Sequence, residues 1–102
     1  MRRAARVDAN HTRIVAALRK AGASVFSAAQ LGKGFPDLVV GYRGRTFLVE
    51  VKDGDKPLSA RTLTPDQQEF VKNWKGDWTL IESLEEVGHF IAQADCDAQE
   101  WR

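Results

Sequence analysis

The chain has 102 residues, 43% of them hydrophobic and 28% charged, which suits one globular domain with a modest core over residues 1–102. Its single cysteine, Cys96, excludes an internal disulfide framework and a thiolate zinc cluster; no apolar run approaches membrane-spanning length, and a cytoplasmic setting fits. Net charge is only +1, yet residues 1–76 hold 14 Lys and Arg against 7 Asp and Glu, while residues 77–102 hold one Arg against 7 acids; this asymmetry points either to a polyanion on one side or to an ordinary solvated surface.

The start, Met-Arg-Arg-Ala-Ala-Arg, is basic and lacks a following apolar stretch, so it reads as a flexible arm over residues 1–8 and not as a secretory signal. Residues 9–21 read as a helix with Ile14, Ala17, Leu18 and Ala21 in one stripe, stopped by Gly22. Residues 23–28 are a short strand, and residues 30–34, with two glycines, a loop. Two apolar strands follow, about 37–42 and 45–52, joined tightly enough to pair as a hairpin. Residues 53–63 are polar and are expected to be a mobile surface loop. Thr64, Pro65 and Gln67 then open a helix as N-cap, N1 and N3 of a capping box, with Phe70, Val71 and Trp74 as its buried stripe. Residues 78–81 make a fourth strand, and Ser83 with Glu86 caps a last helix carrying Leu84, Val87, Phe90 and Ile91. From residue 95 the chain is acidic, and this tail is expected to be flexible. The order α-β-β-β-α-β-α predicts an α/β domain with a mixed four-stranded sheet flanked by helices.

One strand carries charges where none are expected. Residues 46–52 read Thr-Phe-Leu-Val-Glu-Val-Lys, apolar on both faces, with Glu50 and Lys52 two apart and therefore on one side. A buried charge costs several kcal/mol unless it is paired or holds a metal. Asp37 starts the neighbouring hairpin strand, so the hairpin gathers two carboxylates and an ammonium. Such oxygen ligands suit Mg²⁺ or Mn²⁺, and a lysine beside them suits metal-assisted hydrolysis of a phosphodiester. The alternatives are a strand-start Asp satisfied by backbone donors and a surface Glu50/Lys52 ion pair. Gln67 is open between capping and a role in the site. Trp74 and Trp78 read as core, and Trp101 as an oligomer contact.

Pro36-Asp37, twelve intervening residues and then Glu50-Val51-Lys52 resembles the PD-(D/E)XK nuclease motif. With Gly34-Phe35-Pro36-Asp37-Leu38-Val39-Val40-Gly41 before it and Leu63-Thr64-Pro65-Asp66-Gln67 after it, the chain looks most like the stand-alone VRR-NUC type of phages and bacteria, similar to Holliday-junction resolvases. The resemblance implies a restriction-endonuclease-like α-β-β-β-α-β core with an extra C-terminal helix. It implies a divalent-metal-dependent endonuclease acting on DNA, with Mg²⁺ or Mn²⁺ on Asp37, Glu50 and the Val51 carbonyl, and Lys52 at the attacking water. Gln67 belongs to a helix that in this family often lends a polar group. The first helix often lends an acid; here Asp8 is the candidate, followed by Asn10 and His11 with no glutamate. Candidate DNA contacts are Arg2, Arg3, Arg6, Lys33, Arg43, Arg45, Lys56 and Arg61. Branched, flap or junction DNA and a homodimer are expected, and the competing reading is a non-catalytic nucleic-acid-binding protein on the same fold.

Overall fold

The computed structural model describes residues 9–100. Arg2, Arg3, Arg6, Asp8 and Trp101 lie outside the described residues. The elements run α1 (Ala9–Lys20), β1 (Ser24–Ser27), β2 (Leu38–Tyr42), β3 (Arg45–Val51), α2 (Pro65–Asn73), β4 (Trp78–Ile81) and α3 (Leu84–Glu100), with short 3₁₀ turns at Ala29–Leu31 and Leu58–Ala60. The four strands form one sheet in the order β1-β2-β3-β4. The pairs β1/β2 and β2/β3 are antiparallel and β3/β4 is parallel, so the sheet is mixed.

Strand alternation decides where the core sits. Val25, Leu38, Val40, Phe47, Val49 and Ile81 are buried together with Ile14 and Leu18 of α1 and Val87 and Ala94 of α3. The opposite strand positions, including Val39, Leu48 and Glu50, therefore face the other way. Helix α2 lies over that second face, where its Gln67 meets Glu50 and Lys52. The structure is thus an α/β layer with helices on both sides of the sheet. No described helix is long and apolar enough to cross a membrane.

The β2/β3 connection is a two-residue turn in which Arg43 (φ 55°) and Gly44 (φ 79°) are both left-handed, the primed-turn geometry whose twist matches paired strands. A second turn of the same kind precedes β2. Phe35 N–H donates to the Gly32 carbonyl (3.0 Å) around Lys33 (φ 57°) and Gly34 (φ 80°).

Three expectations need correction. Residues 95–100 are helical, not a flexible tail: Tyr42 Oη donates to Asp95 (2.7 Å), and Arg43 and Arg45 pair with Asp95 and Asp97. Residues 53–63 are tied down. Gly54 N–H donates to the Glu82 carbonyl (3.0 Å), while Arg61 donates to the Lys56 carbonyl (2.7 Å) and pairs with Glu82 (3.3 Å). Helix α2 has no buried residue, and Trp74 is 41% exposed, because α2 covers the polar end of the second face rather than the main core.

Candidate active site

Continuing the β2/β3 register one step past the Leu38–Val49 pair sets Asp37 directly opposite Glu50, on the face that α2 covers. Directly opposed residues hold their Cβ atoms about 5 Å apart. Asp37 Oδ2 accepts the Val51 N–H at 2.9 Å, which locks its carboxylate to the end of β3. In an extended strand the N–H and C=O of one residue leave on the same side, so the Val51 carbonyl also leaves β3 toward Asp37.

Glu50 is 3% exposed. Burial, the Asp37 charge and the hydrogen bond to Asp37 push its carboxyl up to about 8, with Lys52 pulling the other way. Glu50 is therefore a buried acid whose charged form the site disfavours. Desolvation disfavours the anion, and one ammonium does not offset it.

Gln67 links the groups. Its Oε1 accepts from the Thr64 backbone N–H (2.9 Å) and from Lys52 Nζ (3.0 Å), and its Nε2 donates to Glu50 Oε2 (3.0 Å). Reversing the amide would aim its NH₂ at two donors, so the orientation is forced. Capping and site contact, alternatives on sequence grounds, hold together in one side chain. Gly34 makes this approach possible: a Cβ there would run into the Asp66 carbonyl and come within 2.9 Å of the Gln67 nitrogen.

The first helix contributes differently from expectation. Asn10, 7% exposed, donates through Nδ2 to the Lys52 carbonyl (3.0 Å) and the Glu82 carbonyl (3.4 Å), pinning the ends of β3 and β4. Its role was missed in sequence, although the signal was there. Asn10, Ile14 and Leu18 are spaced by four, so a polar side chain sits on a buried stripe.

The candidate nucleic-acid contacts separate by place. Lys33 stands at the turn packed on α2, beside the site. Arg43 and Arg45 lie at the opposite end of the hairpin, roughly 15–20 Å away by strand length. There Arg45 pairs with Asp77 and Asp97, both at 3.1 Å, and Arg43 pairs with Asp95 at 3.5 Å. Arg61 is held by Glu82, and Lys56 is exposed next to it. Three ion pairs between the basic and acidic parts of the chain therefore gather at the hairpin turn.

The donor set fits a small hard cation. Among the described residues no group of three or more His, Cys, Asp or Glu side chains forms a cage. A pair of carboxylates and a carbonyl nevertheless suits Mg²⁺, which keeps several waters and shares its sphere with phosphate oxygens. Comparison with protein-family models, with curated proteins and with solved structures finds no match.

Proposed function

We propose that the protein is a divalent-metal-dependent endonuclease of restriction-endonuclease-like fold, hydrolysing DNA phosphodiester bonds in branched, flap or junction substrates. One observation carries the reading: a buried Glu50 set against Asp37 with Lys52 and Gln67 completing the cluster. The order of elements supports the fold assignment, with the catalytic end of a β-hairpin under the start of a helix.

Asp37, Glu50 and the Val51 carbonyl would hold Mg²⁺ or Mn²⁺, which when bound neutralises charge developing on the phosphate and makes nearby water more acidic. Lys52 gives one N–H to Gln67 and keeps its others for the water and a phosphate oxygen. Gln67, bonded to both, ties Lys52 to Glu50. The water oxygen bonds to phosphorus and gives a proton up to solvent as the P–O3′ bond breaks, leaving a 5′-phosphate and a 3′-hydroxyl whose proton comes from solvent. Lys33 and Lys56 remain candidate backbone contacts, and two copies acting on the two arms of a junction suit so small a domain.

The test is cleavage of a panel of labelled junction, flap and duplex DNAs in Mg²⁺ by wild type and Lys52→Ala. Wild type is expected to cut; the variant is expected to bind equally and cut at least ~10³-fold more slowly. Equal cutting by both would remove Lys52 from the chemistry. Unchanged DNA binding with no cutting by wild type would instead make this a binding protein.

A further inference from the structure

Helix α2 presents Asp66, Glu69, Phe70 and Asn73 on one side, and with Lys33 and Trp74 they line a cleft of about 280 Å³. An aromatic row leads into it. Phe35 meets Phe70 edge-on at 5.3 Å, and Phe70 stacks on Trp74 at 5.4 Å with 20° between the rings. Trp74 is held in place without being buried. Its indole N–H donates to the Asp77 carbonyl (3.2 Å), and its nitrogen-side edge rests so close to Gly76 that a Cβ there would approach to 3.0 Å. An exposed aromatic fixed in advance loses little entropy when a ring stacks against it.

The polar groups of the cleft narrow the occupant. Lys33 occupies a left-handed conformation (φ 57°), which costs an ordinary residue roughly 1 kcal/mol and holds its side chain at the cleft. Asp66 and Glu69 oppose a phosphodiester backbone lying in the cleft, whereas their oxygens suit the N–H groups of a base edge. Asn73 Nδ2 donates to Glu69 Oε2 at 2.9 Å and orients that carboxylate. A ring to stack, donors to be accepted and a phosphate beside Lys33 are the parts of an unpaired nucleotide. A paired base inside a duplex shows only its edge and cannot lie on Trp74.

We propose that this cleft seats an unpaired nucleobase of a single-stranded DNA arm running along α2. Trp74 lies seven residues beyond Gln67, about 10 Å along the helix, so the seated base is within roughly two nucleotides of a phosphate at Lys52. The proposal rests on the nuclease reading for that phosphate, but its binding can be measured without cleavage.

The experiment compares a duplex bearing a single-stranded arm with the blunt duplex of the same sequence, by fluorescence anisotropy, with EDTA and again with Ca²⁺. Trp74→Ala is expected to weaken arm binding about tenfold and to leave blunt-duplex binding within about twofold. Lys33→Gly relieves the backbone strain and so keeps the turn; it is expected to weaken arm binding about threefold, more than blunt binding. Indifference of arm binding to both variants, or equal loss on both DNAs, overturns the proposal. The two readings fail separately. Trp74-dependent arm binding with no cutting in Mg²⁺ keeps the cleft and ends the nuclease, while cutting that ignores arm and Trp74 alike keeps the nuclease and ends the cleft.

Discussion

The β2/β3 hairpin has charges at both ends, and the two ends differ in kind. At the turn, Arg43 and Arg45 meet Asp77, Asp95 and Asp97, and Tyr42 adds a hydrogen bond to Asp95. Opposite charges close on each other, half in solvent. At the open end, Asp37 faces a second acid, Glu50, whose burial and neighbour hold its proton on, with Lys52 pulling only partly the other way. A self-satisfied cluster holds structure together. A buried acid forced to keep its proton is an unsatisfied charge site, and that difference separates scaffold from candidate site on one pair of strands.

The largest expected effect is at the open end. Glu50→Gln should lower Mg²⁺-dependent cleavage at least ~10³-fold, read by single-turnover kinetics. The same variant tests the electrostatics without metal. The Glu50 carboxyl is raised from the ordinary 4.5 to about 8, so between those values the folded protein keeps a proton that the unfolded chain has released. Stability in EDTA should therefore be highest below pH 4.5 as far as this group is concerned. It should fall as pH rises to about 8, by at most about 1.4 kcal/mol per pH unit, and level off above. Glu50→Gln should flatten that slope and melt higher than wild type at pH 9. A wild-type melting profile with no such fall would mean that Glu50 is not held as described.

Gln67 comes next because it joins cap and site. Thr64→Ala and Gln67→Ala should each cost about 1 kcal/mol in chemical denaturation through the shared cap. Only Gln67→Ala should also cut cleavage by ~10–100-fold; equal losses from both would reduce Gln67 to a cap. Gly34→Ala should destabilise by about 1–3 kcal/mol, since it adds a Cβ at φ 80° against the first turn of α2. The smallest effect belongs to the turn end. Arg45→Ala should lower the melting temperature, less so in high salt, and leave cleavage rates unchanged. A cleavage defect there would erase the contrast between the two ends.

Much of this was legible in the chain. Short apolar runs marked the strands, the Thr-Pro-Asp-Gln start marked α2, and a glutamate inside an apolar strand marked the candidate site. The remaining features depend on contacts between distant segments. The acidic tail looked flexible until the hairpin arginines met it, the 53–63 loop looked mobile until Arg61 met Glu82, and Trp74 looked like core until α2 settled on the polar end of the sheet.

The sequence by itself determined the order of elements and the alternation that sends Asp37, Glu50 and Lys52 to one side, because strand period and turn length are local properties. Only the tertiary structure decided that Gln67 bridges Glu50 and Lys52, that Asn10 clamps the strand ends, and that Arg43 and Arg45 are occupied by acids over 30 residues away in the chain. Those contacts depend on where whole helices come to rest, and that is set by the packing of all faces at once.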